Sequence, residues 1–138
     1  MAHDNVIKIL HEGGYSCVIE NRGEIFTFTE RGVKDLYNLY KTSPEILKGA
    51  FIADKVVGKG AAALMALGQI SEIYCDVISE NAIKLLQDCK IVYSFAQKVP
   101  HIINRSKSGM CPVETLCLNA TTPEECLPLI ENFINNNR

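Results

Sequence analysis

Apolar residues recur at two spacings along the chain, and one of them is typical of amphipathic helices. Residues 4–14, 33–42 and 80–89 carry apolar side chains every three or four positions, which places these side chains on one helical face. Shorter helices are predicted to open at Pro44, Pro112 and Pro123, because proline is favoured at the first helical position.

The second spacing is typical of strands. Apolar residues on both sides of Asn21-Arg22-Gly23 predict a β-hairpin with these residues in its turn. Apolar runs at residues 50–57, 71–79, 90–100 and 101–106 predict four further strands. Strands that alternate with helices favour a sheet with parallel members. The predicted fold is a three-layer α-β-α domain over residues 1–138, with a mixed sheet that begins with an antiparallel hairpin.

Composition narrows the class of protein. The chain has 138 residues, of which 47% are hydrophobic, and this is enough for a substantial core. Its net charge of −2, with both signs interspersed, indicates neither a nucleic-acid nor a membrane partner. We expect a cytoplasmic protein, because no apolar run reaches the length of a membrane span and residues 1–8 do not form a signal peptide.

The six cysteines predict neither disulfides nor a metal site. No pair has C-x-x-C spacing, and neither cysteines nor histidines are paired as in structural zinc sites. Cys17, Cys75 and Cys89 stand among apolar residues, where a free thiol behaves as a small hydrophobe. We therefore expect these three in the core, and we predict no metal and no cofactor.

Residues 58–67 form a predicted helix made almost wholly of Gly, Ala, Leu and Met after the entrance Gly58-Lys59-Gly60. The entrance lacks the first glycine and the final Ser or Thr of a phosphate-binding P-loop. A helix that is apolar all round is buried on most sides. Packing does not explain Lys59, whose charge is disfavoured at the positive end of its own helix. Two interpretations stay open: Lys59 and Lys55 close around an anion at this N-terminus, or Lys59 reaches solvent and pairs with Asp54.

Three stretches carry a resemblance to a known family: DKVVGKGAAALM (54–65), EIYCDVISENAIKLL (72–86) and SGMCPVE (108–114). They resemble an uncharacterised prokaryotic family placed in the cytidine-deaminase-like superfamily. The resemblance covers the chain from the first strand to about Cys117 and implies a cytidine-deaminase-like fold. The family has no settled activity, so the resemblance implies no reaction.

Zinc deaminases carry H-x-E or C-x-E at the start of the buried helix and P-C-x-x-C at the start of the next. By this resemblance the first position holds residues 58–61 and the second holds residues 77–80, and neither supplies the zinc ligands. Zinc deamination is therefore not expected. Lys59, Ser79 and Glu80 are left at two helix N-termini at the ligand-binding edge of such a sheet, where they would occupy the vacated zinc site. The alternative is that Ser79 only caps its helix.

The segment Cys111-Pro112-Val113-Glu114 offers a second candidate site. Pro112 at the first helical position makes Cys111 the N-cap, where free N–H groups lower the pKa of a thiol. Glu114 would complete a capping box with Cys111, and Glu114 or His101 would serve as a base if Cys111 were a nucleophile.

Three functions remain open. The first is a domain that binds a small anionic or nucleotide-like ligand at Asp54, Lys55, Gly58, Lys59, Ser79 and Glu80. The second is a metal-independent enzyme that uses Lys59 or Cys111 with Asp54 or Glu114 as acid or base. The third is a homo-oligomeric interaction module that associates through exposed strand edges or through a helix face bearing Tyr37 and Tyr40.

Overall fold

Seven helices and five strands follow one another in the residues that the structure, a computed structural model, describes: 2–29, 33–102 and 112–136. In chain order they are α1 (Ala2–Gly13), β1 (Cys17–Asn21), β2 (Glu24–Phe28), α2 (Lys34–Thr42), α3 (Pro44–Leu47), β3 (Phe51–Val57), α4 (Lys59–Leu67), β4 (Glu72–Ser79), α5 (Glu80–Asp88), β5 (Val92–Val99), α6 (Pro112–Cys117) and α7 (Pro123–Asn136). The elements agree with those predicted, except for the strand expected at 101–106. His101 and Ile102 do not lie in a strand, and the rest of that segment lies outside the described residues.

The five strands form one mixed sheet in the order β2-β1-β3-β4-β5. β1 runs antiparallel to both β2 and β3, whereas β3, β4 and β5 are parallel to one another. The predicted hairpin is confirmed: Asn21 pairs with Glu24, and the intervening Arg22 and Gly23 have φ angles of 53° and 84°. Positive φ at both central residues is the signature of the two-residue type I′ turn.

Helices cover both faces of the sheet, as predicted for a three-layer arrangement. α1 packs on one face, and its buried side chains contact those of β1 and β3; the cluster comprises Val6, Leu10, Val18, Phe51 and Ala53. Because side chains alternate along a strand, Ile19 and Ile52 point to the opposite face. There they join the larger core, to which the other six helices contribute.

α4 lies in the middle of the larger core, as its composition predicts. Every residue from Gly60 to Met65 is buried. Of the three cysteines expected in the core, Cys17 and Cys75 are buried, whereas Cys89 ends α5 and is only half-buried. None of the helices in the described part of the chain is long and apolar enough to cross a membrane.

Candidate functional site

The candidate site lies where two helices begin at the carboxyl ends of parallel strands. β3 ends at Val57, Gly58 is the N-cap of α4, and α4 begins at Lys59. β4 ends at Ser79, which is itself the N-cap of α5. Because β3 and β4 are neighbours and parallel, both helix N-termini open at the same edge of the sheet.

The Glu114 carboxylate occupies this edge. Glu114 belongs to α6 and is only 1% exposed. Its Oε1 accepts hydrogen bonds from the Lys59 backbone N–H at 3.0 Å and from the Ser79 hydroxyl, and its Oε2 accepts one from the Ile102 backbone N–H. A buried carboxylate needs such donors to offset its loss of hydration. The N-terminus of α4 therefore binds an anion, and the anion is a side chain of the same protein.

Ser79 serves two partners at once. Its Oγ accepts a hydrogen bond from the Ala82 backbone N–H at 3.1 Å, which confirms the predicted cap of α5. Its hydroxyl proton is donated to Glu114, so the cap also joins α5 to α6. Ser79 is completely buried, and the described side chains contain no buried polar atom without a hydrogen-bond partner.

The two glycines of the entrance make room for α6. A Cβ atom at Gly58 would lie 3.2 Å from both Glu114 Oε1 and Ile102 Cγ1, tighter than most real contacts. A Cβ atom at Gly60 would lie 2.3 Å from Cγ1 of Val113, which no real structure tolerates. Gly60 therefore allows the first turn of α6 to lie directly against α4. This close approach places the Glu114 carboxylate within hydrogen-bond distance of its donors at the starts of α4 and α5.

Lys59 binds both ends of α6. Its backbone N–H holds Glu114 in the first turn, and its Nζ donates to the Leu118 carbonyl at 3.1 Å and to the Ala120 carbonyl just beyond the last turn. A cation is favourable near a helix C-terminus, where carbonyl groups are unsatisfied. The half-buried ammonium thus avoids the unfavourable start of its own helix, and its described contacts do not include the expected pairing with Asp54.

Asp54 lies in a different environment. Its carboxylate accepts the Val56 backbone N–H at 3.3 Å, and Cys17 lies opposite it on β1. Burial raises the pKa of Asp54 to about 7, although backbone N–H groups and the neighbouring Cys17 thiol oppose the increase. The contacts described for Asp54 thus lie within β3 and β1 and leave it apart from the Glu114 cluster.

The other predicted residues are less closely involved. Lys55 is half-buried on β3, and its backbone N–H donates to the Ser16 carbonyl at 3.1 Å. Glu80 is exposed at the first position of α5. Cys111 lies outside the described residues, so its reactivity and its capping of α6 stay predictions. The capping box of Glu114 with Cys111 stays a prediction as well, and the described donors to the Glu114 carboxylate lie on three other segments.

Two features of the site escaped sequence reasoning. Ile102 was assigned to a strand, yet its N–H binds Glu114. Cys117 and Cys126 carry no separate prediction, yet both are completely buried. The available signal was an isolated glutamate in the apolar surroundings of α6, because a buried carboxylate requires partners. Within the described ranges no group of three or more His, Cys, Asp or Glu side chains is arranged to hold a metal ion.

The fold and this site define a mixed α/β protein whose parallel-strand edge is occupied by an internal carboxylate. Residues 5–134 match the family described as a domain of unknown function, DUF1893 (TM1506), and the chain belongs to this family. It is similar to the crystal structure of a DUF1893 family protein (TM1506) from Thermotoga maritima, with a TM-score of 0.86 and 29% sequence identity. That similarity covers 94% of this chain and 87% of the other. No curated protein matches the sequence.

Proposed function

We propose that the chain is a zinc-free, deaminase-like domain that binds a small anionic or nucleotide-like ligand at the N-termini of α4 and α5. Glu114 occupies the anion position in the absence of ligand, and a ligand binds by displacing it. The observation that carries the proposal is the convergence of three hydrogen-bond donors from α4, α5 and the segment after β5 on one carboxylate.

The deaminase-like part of the proposal rests on where these donors lie. The two segments that would carry zinc ligands in a deaminase, residues 58–61 and 77–80, include the starts of α4 and α5. Their donors meet at Glu114 instead of at a cation. A carboxylate between N–H and O–H donors is chemically suited to the position once the metal ligands are absent.

The class of ligand follows from the donors. A ligand carboxylate or phosphate presents the same acceptor oxygens as Glu114. The Lys59 ammonium donates to the Leu118 and Ala120 carbonyls, but it belongs to the residue whose backbone N–H lies in the site, so its charge favours an anionic ligand at short range. Displacement of Glu114 reduces the apparent affinity, because the binding-competent state is only a fraction of the population. Removal of the Glu114 carboxylate should therefore increase affinity for anions, whereas removal of the Lys59 charge should decrease it.

Isothermal titration calorimetry with acetate, inorganic phosphate and a nucleoside monophosphate tests this proposal. Glu114→Ala should bind at least one of them about ten-fold more tightly than wild type, which corresponds to about 1.4 kcal/mol. Lys59→Met should bind more weakly, and Lys84→Met, which removes an exposed charge from α5, should bind as wild type does. Affinities that are the same in all four proteins, or no binding to Glu114→Ala, would refute the proposal.

A second candidate function, self-association, is favoured by the edge strand β5. Val92 and Phe95 on this strand are 60% and 39% exposed, and an edge strand presents backbone groups that can pair with a second copy. The alternative surface at Tyr37 and Tyr40 is less suitable, because both are half-buried and Tyr37 donates to Glu131 of α7 at 2.7 Å.

Sedimentation velocity over a range of protein concentrations tests self-association. Val92→Lys should shift the chain toward monomer, whereas Ile25→Lys on the opposite edge strand, where Ile25 is 40% exposed, should not. A wild-type protein that is monomeric at every concentration would rule out this candidate function.

A further inference from the structure

The outer side of β5 is an open edge of the sheet. β5 is the last strand in the sheet order, it pairs with β4 on its inner side, and none of the described strands pairs with its outer side. The strand has eight residues, so this edge is about 26 Å long. Backbone N–H and C=O groups along such an edge can pair with a strand of another chain.

The sequence of β5 does little to prevent such pairing. Protected edge strands are short or carry prolines, bulges or several charged residues. Between Val92 and Val99 there is no proline, and Lys98 is the only charged residue. The opposite edge strand, β2, has only five residues and begins with Glu24. β5 is therefore the edge better suited to pairing with a second chain.

Two large apolar side chains of β5 are open to solvent. Val92 is 60% exposed and Phe95 is 39% exposed. The Phe95 ring stacks on that of Tyr93, with ring centroids 6.3 Å apart and an angle of 10° between the planes. The Tyr93 hydroxyl in turn accepts a hydrogen bond from Gln87 of α5 at 2.8 Å. Tyr93 and Phe95 thus form an aromatic pair on the face of β5 that α5 covers, and Phe95 is the more open of the two.

We propose that β5 pairs in antiparallel orientation with β5 of a second copy of this chain, with Phe95 opposite Phe95 of that copy. The two five-stranded sheets then form one sheet of ten strands. This inference rests on the second candidate function, self-association, and specifies its geometry. A two-fold axis perpendicular to the sheet produces this arrangement and buries the same surface on each copy.

The register follows from the side chains of the strand. Opposite residues of an antiparallel pair lie on the same face of the sheet, so a two-fold axis must place one residue opposite its own copy. An axis at Phe95 pairs the seven residues from Val92 to Lys98 and joins the two exposed aromatic rings. An axis at Ala96 leaves Val92 unpaired and places Phe95 opposite Gln97. Because aromatic pairs across strands are favourable, we prefer the axis at Phe95.

Charge and closure both favour a second copy of β5 as the partner strand. In this register Lys98 faces Val92, so the strand pair places no like charges directly opposite each other. A β2 strand of another copy would meet β5 over five residues only. Repeated contacts between β2 and β5 would also extend into a ring or filament, whereas the two-fold pair is complete with two copies.

Disulfide trapping in Phe95→Cys tests the register. Residues opposite each other in an antiparallel pair lie close enough for a disulfide. The tryptic fragment 91–98 contains no native cysteine, so a fragment linked to its own copy identifies the bond by mass spectrometry. Isotope-labelled chains mixed with unlabelled chains show that the bond joins two copies. With diamide as oxidant we expect this product from Phe95→Cys. We do not expect it from Gln97→Cys, because its two copies would lie about 13 Å apart along the strands.

Sedimentation velocity of the full-length chain measures the association itself. The wild type should show a monomer–dimer equilibrium. Phe95→Lys, which places two positive charges opposite each other, should raise the dissociation constant at least about ten-fold. Ile25→Lys on β2 should leave the dissociation constant unchanged.

The outcomes separate this geometry from self-association in general. A dimer in which Phe95→Cys forms no linked fragment, or in which Gln97→Cys links as readily, would overturn the register and leave self-association standing. A dimer weakened by Ile25→Lys but not by Phe95→Lys would assign the contact to β2 and overturn the proposal. A wild type that is monomeric at every concentration would overturn both the geometry and the candidate function.

Discussion

Replacement of Glu114 provides the most direct test of how the site is held together. In Glu114→Ala, the backbone N–H groups of Lys59 and Ile102 and the Ser79 hydroxyl lose their acceptor. A buried donor left without an acceptor costs about 1–3 kcal/mol. We therefore expect Glu114→Ala to lower the free energy of unfolding by about 3–5 kcal/mol, a large part of the 5–15 kcal/mol that is typical of a domain.

Glu114→Gln separates the acceptor from the shape of the side chain. The amide oxygen can replace Oε1 between Lys59 and Ser79, but the amide nitrogen then faces the Ile102 N–H, and two donors oppose each other. Because of this single mismatch, Glu114→Gln should lower the free energy of unfolding by about 1–3 kcal/mol, less than Glu114→Ala does.

Equilibrium unfolding in urea, followed by circular dichroism, measures both variants. The midpoint should fall by roughly 1–3 M for Glu114→Ala if the slope is unchanged. Glu24→Gln, at an exposed position of β2, is the matched control and should lie within about 0.5 kcal/mol of wild type. If Glu114→Gln and Glu114→Ala also lie within that range, Glu114 does not satisfy these donors. Equal, large losses of unfolding free energy would contradict the smaller loss expected for Glu114→Gln and would indicate that keeping the shape of the side chain preserves no stability.

Three further predictions follow from the contacts around the site. Burial raises the pKa of Asp54 from 3.8 to about 7, so the folded chain holds a proton that the unfolded chain releases; the resulting stability is fully present below about pH 4 and is lost as the pH rises through 7. In the wild type, the free energy of unfolding should fall by about 2 kcal/mol between pH 5.5 and 8, and in Asp54→Asn this fall should be absent. Urea unfolding at a series of pH values measures it, and the same pH dependence in both proteins would contradict the prediction. Gly60→Ala should destabilise the chain by about 1–3 kcal/mol through its contact with Val113, and Val113→Ala in the same chain should restore part of that loss; additive losses would exclude the contact. Ser79→Ala should cost about 1–2 kcal/mol in thermal or urea unfolding because α5 loses its cap, and a neutral effect would show that the cap contributes little.

The sequence was sufficient for features whose signals are local. The Asn21-Arg22-Gly23 turn, the buried composition of α4 and the cap at Ser79 are all confirmed. The start of α7 shows the same kind of local contact: the Glu125 N–H donates to the Thr122 hydroxyl oxygen at 3.2 Å, and the Thr122 N–H donates to the Glu125 carboxylate at 3.3 Å. Each of these contacts joins residues within a few positions of one another, where backbone geometry limits the alternatives.

The sequence was insufficient where contacts join distant elements. Local rules supply only one partner for Glu114, the capping box with Cys111, which lies outside the described residues. Its described partners lie 55, 35 and 12 positions away and become visible only when the packing of α6 on α4 is known. An anion at the α4 N-terminus was one of two interpretations left open by the sequence, and spacing alone could not identify Glu114 as the carboxylate that lies there.

The Glu114 contacts also set an order for folding during synthesis. β3, α4, β4, α5 and β5 follow one another along the chain and pair with their neighbours in sequence, so this part of the sheet can form as it leaves the ribosome. The donors at the N-termini of α4 and α5 have no Glu114 acceptor until that residue is translated, 55 residues after Lys59. A nascent or truncated chain that ends before α6 therefore exposes these donors together with the apolar surface that α6 and α7 cover, and we expect such a chain to aggregate more readily than the complete one.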